Sequence, residues 1–77
     1  MKWPIPLDNA AKFHQVLRAQ RRAQEISQRE LAARLFVPNV AVCRWEIGRR
    51  QITLTEAIRL ADALGYDLAL IPREDEA

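Results

Sequence analysis

Between residues 8 and 35, glycine is absent, proline is absent, and apolar positions return at helical spacing. Phe13, Val16, Leu17 and Gln20 stand at i, i+3, i+4 and i+7, the last of them polar, so the pattern predicts a first helix over about residues 9–23. Leu7 and Asp8 before it fit a hydrophobic staple and an N-cap. Ser27-Gln28-Arg29-Glu30 reads as a capping box: a Ser hydroxyl accepts from the amide three residues on, and the Glu reaches back. It opens a second helix, 28–35, with Leu31, Ala32 and Leu35 inward. Val37-Pro38-Asn39 interrupts the pattern, because the residue before a proline avoids the helical region and a helix start does not need the missing N–H. A third helix, 39–46, then presents Val42 and Trp45 on one face and stops at Gly48. Thr53-Leu54-Thr55-Glu56 is a second capping box opening a fourth helix, 54–64, with Leu54, Ala57, Ile58, Ala61 and Leu64 inward and Gly65 as its stop.

After Gly65 the period changes. Tyr66 to Ile71 alternates loosely, is too short for a helix and ends at Pro72, which predicts one short β-strand over 66–72 before an acidic tail, 73–77. A lone strand leaves its backbone groups unpaired. The simplest source of a second edge is another copy of the chain, so Tyr66, Leu68, Leu70 and Ile71 are the expected dimerisation residues. The arm 1–7, with Trp3-Pro4-Ile5-Pro6, is placed to cover that edge or to pack on the partner. The expected architecture is all-α: one domain of four short helices over 8–65 plus the strand.

The size of the chain sharpens that picture. Seventy-seven residues make one domain at most, and a chain this short buries only about 60% of its unfolded surface. Regular helix packing and oligomerisation are two remedies. The single cysteine, Cys43, excludes an internal disulfide and fits a reducing, cytoplasmic setting. The opening MKWPIPLD does not read as a signal peptide, and no segment is long enough to span a membrane.

The net charge of +2 conceals an uneven distribution. Residues 18–50 carry Arg18, Arg21, Arg22, Arg29, Arg34, Arg44, Arg49 and Arg50 against Glu25, Glu30 and Glu46, a net +5. Residues 51–77 carry Arg59 and Arg73 against six acids, a net −4. The basic third is all arginine, whose planar fork suits phosphates and guanine edges, while the acidic third argues against a general polyanion binder. Catalysis is poorly supported: the one His, His14, and the one Cys fall on different helices, and neither a glycine-rich phosphate loop nor an apolar carboxylate pair is present. No cofactor or metal is expected.

Helices two and three, joined by about three residues, must cross sharply. Ala32 supplies a small contact residue, and Leu31, Leu35, Val37, Val42 and Trp45 supply the anchors. Asn39, Val40, Cys43 and Arg44 then form one outward stripe on helix three. S-Q-x-E-L-A, R-W-E-x-G-R-R and L-A-D-A-L-G, in that order across residues 16–68, resemble the Xre/Cro/C1 family of phage and bacterial repressors, with a lambda-repressor-like fold. The resemblance implies double-stranded DNA as the partner. It implies base contacts by Asn39, Val40 and Arg44 with Cys43 between them, phosphate contacts by Gln28, Arg49 and Arg50, and a partly buried ion pair between Arg21 and Glu46. The chain departs from the family pattern at three places: Phe36 and Glu25 stand where many members have glycine, and Pro38 replaces the usual Ser or Thr cap. The C-terminal segment also resembles the HipB-like antitoxin subgroup, in which a terminal strand pairs across the dimer. The expected function is a homodimeric repressor on a palindromic operator. The alternatives are an antitoxin with a toxin protein as second partner, and a protein-interaction module that keeps the fold without binding DNA.

Overall fold

A computed structural model describes residues 4–7 and 9–74. They form four helices: α1 (Ala10–Ala23), α2 (Gln28–Leu35), α3 (Asn39–Glu46) and α4 (Leu54–Ala63). Trp3, Asp8 and the tail beyond Glu74 lie outside the described residues.

Each helix start follows from a local donor–acceptor arrangement. The cap of α1 is Asn9 rather than the expected Asp8: its backbone is extended and its side-chain oxygen accepts from the Lys12 amide at 2.9 Å, and Asn is as good an N-cap as Asp. At α2, Ser27 Oγ accepts from the Glu30 amide at 3.0 Å, but the Glu30 carboxylate turns away to Arg34, 2.8 Å distant, so only half of the expected box forms. At α4 both halves form, with Thr53 and Glu56 bonded reciprocally at 3.0 and 3.1 Å. Pro38 caps α3 with no side-chain hydrogen bond, which leaves the first amides of that helix open.

The four helix ends share one device. In each, an amide bonds back five residues and the preceding amide bonds back three: Ile26 to Arg21 and Glu25 to Arg22, Val37 to Ala32 and Phe36 to Ala33, Arg49 to Arg44 and Gly48 to Trp45, Tyr66 to Ala61 and Gly65 to Asp62. This Schellman geometry needs one residue at positive φ, supplied by Glu25 (59°), Phe36 (56°), Gly48 (77°) and Gly65 (86°). The departures from glycine at Glu25 and Phe36 therefore leave the turns intact and strain them instead. Holding an L-residue with a side chain there costs roughly 1–2 kcal/mol. The residue after the positive-φ position usually packs on the helix, and Ile26, Val37 and Tyr66 do so against the core. At α3 that place belongs to Arg49, which is exposed.

The core is built from Leu17 and Ile26, from Leu31, Ala32 and Leu35 of α2, from Ala41, Val42 and Trp45 of α3, and from Leu60 and Leu64 at α4. Small residues, Ala32 and Ala41, are buried on both helices of the crossing, which lets α2 and α3 approach closely. Polar side chains then tie the ends of neighbouring helices. Arg59 donates to the Leu35 carbonyl at 2.6 Å, Arg34 to the Ala63 carbonyl at 2.9 Å and Gln24 to the Leu64 carbonyl at 2.8 Å, satisfying carbonyls that a helix terminus leaves open.

Two expectations are corrected, and one placement is new. Leu54 and Ile58 are 74% and 51% exposed, because the inward stripe of α4 is Ala57, Leu60, Ala61 and Leu64 and the 54/58 row lies on its flank. His14 is half-buried, with its ring against the Gly48 backbone. Residues 66–72 form no strand; a strand needs a second edge, and no other described segment of this chain supplies one.

The strain at Phe36 has a measurable consequence. Its side chain is 93% exposed, so shortening it removes almost no packing. Replacing Phe36 by glycine is expected to stabilise the protein by up to about 1 kcal/mol, a rise in melting temperature of roughly 4–8 °C for a domain of this size. A lower melting temperature by circular dichroism would show that the left-handed geometry is not a cost.

Candidate nucleic-acid interface

The amphipathic division of α3 sets up the site. Ala41, Val42, Trp45 and Glu46 are buried, so the opposite stripe, Asn39, Val40, Cys43 and Arg44, must face out. Asn39, Val40 and Arg44 are exposed and Cys43 is half-buried. Asn39 lies inside the helix as its first residue and is not the cap, and neither it nor Arg44 has a side-chain hydrogen-bond partner among the described residues.

Glu46 is the only acid on α3, and it is turned inward, 3% exposed. Its carboxylate accepts two bonds from one guanidinium, Arg21 Nε at 2.6 Å and Nη2 at 2.9 Å, in a bidentate fork. The third nitrogen, Arg21 Nη1, donates to the Ile26 carbonyl at 2.8 Å. Gln28 Nε2 adds a bond to Glu46 Oε1 at 3.1 Å. The hydrogen bonds to Glu46, reinforced by its charge and opposed by burial, hold the Arg21 guanidinium above its ordinary pKa. One buried carboxylate thus joins α1, the α1–α2 turn and the start of α2 to the end of α3. Its charge is neutralised, so the outward stripe carries only the positive charge of Arg44.

The expected phosphate residues fall into different situations. Gln28 is half-buried and spends a side-chain N–H on Glu46, while backbone amides of the first turn of α2 remain open. Arg49 is exposed, and its side chain makes no hydrogen bond or ion pair among the described residues. Arg50 is held: its guanidinium lies 5.2 Å over the Trp45 ring and 3.6 Å from Glu56. This links the turn after α3 to the cap of α4 through a cation–π contact and a partly screened ion pair. The Trp45 indole N–H is buried without a hydrogen-bond partner among the described residues. At the far end, Tyr66 is half-buried with its hydroxyl bonded to Gln20 Oε1 at 2.5 Å, and Leu68 is half-buried. Leu70 and Ile71 are exposed. No group of three or more metal-ligating side chains occurs among the described residues, and no helix of theirs is long and apolar enough to cross a membrane.

Sequence reasoning did not find the carbonyl-capping arginines Arg34 and Arg59. Both look like solvated helix charges, and only the tertiary approach of α2 and α4 reveals their acceptors. Half of the Arg34 pairing was readable, since Glu30 precedes it by four residues.

The profile of the helix-turn-helix family of the Cro/C1, Xre-like type matches residues 17–71, from the middle of α1 to the exposed C-terminal segment. The chain belongs to this family and is a DNA-binding transcription regulator of the Xre/Cro type. No curated protein sequence matches it.

The Glu46 junction predicts a stability effect. Removing one member of a buried pair leaves the other charge uncompensated, at a cost of about 3–5 kcal/mol. Glu46→Ala is expected to lose that much in urea denaturation, and Arg21→Met combined with Glu46→Leu to recover most of it. A midpoint unchanged by Glu46→Ala would show that the junction does not carry the fold.

Proposed function

We propose that this chain is a transcriptional repressor that binds a palindromic operator as a homodimer, a binding protein without catalysis, working in the cytoplasm. The observation that carries the reading is the division of α3 itself: a helix anchored by Val42, Trp45 and Glu46 whose other face offers Asn39, Val40 and Arg44, exposed and with no side-chain hydrogen bond or ion pair among the described residues. A B-DNA major groove admits one α-helix. Arg44 is suited to guanine O6 and N7, Asn39 to adenine N6 and N7, and Val40 to a thymine methyl, with Cys43 between them at the groove wall. Arg49 and the open amides of Gln28 and Arg29 supply phosphate contacts on either side. Arg50, docked on Trp45, orients the Arg49 turn and reaches phosphate only by leaving Glu56.

Dimerisation is supported by apolar surface left open. An open groove of about 830 Å³ runs between the arm, α1, α4 and the C-terminal segment, lined by Ile5, Phe13, Leu54, Ile58, Leu68 and Leu70 among others. Leu70 is 100% exposed. A second copy of residues 66–72 pairing about a twofold axis would cover these side chains and satisfy the backbone that a single chain leaves without a ladder.

Selection from a random duplex library is expected to return inverted repeats with half-site centres about 34 Å apart, one helical turn. Arg44→Ala is expected to relax preference at one position of each half-site and to cost roughly 1–3 kcal/mol per half-site, whereas Arg49→Ala weakens all sequences alike and lowers the salt slope by about one per protomer. Equal losses on selected and random duplexes for both variants would overturn the base-reading assignment. For the dimer, Leu70→Asp with Ile71→Asp should sediment as a monomer; a dimer that survives it is held elsewhere.

A further inference from the structure

Six of the arginines fall into two contrasting groups. Arg21, Arg34, Arg50 and Arg59 are engaged with acceptors of the protein itself. Arg18 and Arg22 of α1 are exposed, and their side chains have no hydrogen bond or ion pair among the described residues.

The position of this second pair follows from its neighbours. Side chains three and four apart share one face of a helix. Arg18 lies four residues after His14 and three before Arg21. The His14 ring sits against the turn that closes α3, where a Cβ built on Gly48 would come within 3.0 Å of its Nε2. Arg21 grips Glu46, the last residue of α3. Both neighbours of Arg18 therefore touch the C-terminal end of α3, and Arg18 stands on the flank of α1 beside it. Arg22 follows one turn later, adjacent to Arg21, whose Nη1 holds the carbonyl of Ile26 immediately before the α2 cap Ser27. Arg22 therefore shares the flank of α1 that carries Arg18, one turn nearer the α1–α2 turn. Glu46, the acid that Arg21 brings to this flank, is already neutralised. Glu25, three residues after Arg22, is turned at positive φ and makes no ion pair with it.

We infer that α1 is a third phosphate-binding element of the interface, with Arg18 and Arg22 gripping the DNA backbone that runs past the end of α3 and the start of α2. The inference rests on the major-groove reading above and adds to it a grip from a helix outside the helix-turn-helix. Two cations one turn apart on one flank of α1, without protein partners among the described residues, complement a polyanion and leave no described contact to be broken on binding. They carry no sequence information and act on affinity at every site alike.

The test compares the full-length protein with Arg18→Gln/Arg22→Gln and Arg18→Lys/Arg22→Lys, binding a library-selected duplex and a random-sequence duplex across a salt series. Circular dichroism melting checks that each variant folds. The Gln pair is expected to lower the slope of log K against log salt by about 3.6 for the dimer, roughly 0.9 for each of the four phosphates no longer neutralised, on both duplexes and with base preference unchanged. The Lys pair keeps the wild-type slope. A folded Gln variant with the wild-type slope overturns the inference while leaving the Arg44 and Arg49 assignments standing. A wild-type protein with no salt-dependent binding to any duplex overturns this inference and the repressor reading together.

Discussion

Glu46 and the donors around it are what the remainder of this small protein is arranged around. A carboxylate carried into the interior is tolerable only if its lone pairs are filled, and here a guanidinium fork from α1 and a side-chain amide from α2 fill them. Because the donors come from two other helices, the pair is a geometric constraint more than a store of energy: it fixes where the end of α3 lies relative to the start of α2. Those are the two places from which groove and backbone would be touched, and the distance between them is set by hydrogen bonds rather than by adaptable apolar contact. Buried ion pairs often contribute little net stability compared with apolar packing, so this one is best understood as an orienting device.

The engaged arginines extend the same logic. Arg34 and Arg59 close the carbonyl ends of α4 and α2, and Arg50 bridges Trp45 to the α4 cap. These cations act as mortar between short helices that could not stand alone, since isolated helices of this length are marginal in water. The cations that remain outside this mortar are the ones disposed toward a partner.

The four-helix plan was legible because its punctuation is local: Ser27, Pro38, Gly48, Thr53 and Gly65 each act within a turn of the boundary they mark. The stripe on α3 was legible for the same reason, since a Val42 and Trp45 anchor leaves one opposite face. Legibility failed where two answers satisfy one pattern. On α4 the apolar rows Leu54–Ile58 and Ala57–Leu60–Ala61–Leu64 are both at helical spacing, and only the position of α2 decides between them. Glu30 could reach back to its cap or forward to Arg34, and the forward partner won. Alternation over 66–72 marks a segment suited to pairing, but a strand exists only when another edge is present.

The unequal helix ends carry a last consequence. Three of the four terminate on an apolar residue sewn into the interior, so any change there is felt by the whole domain. The third terminates on Arg49, and the stripe it follows lies almost entirely outside the core. On the proposed reading, residues 39, 40 and 44 lie outside the packed interior, so substitutions there would change base preference while the scaffold beneath stays the same. Recognition carried by that stripe would be evolvable because the fold does not depend on it.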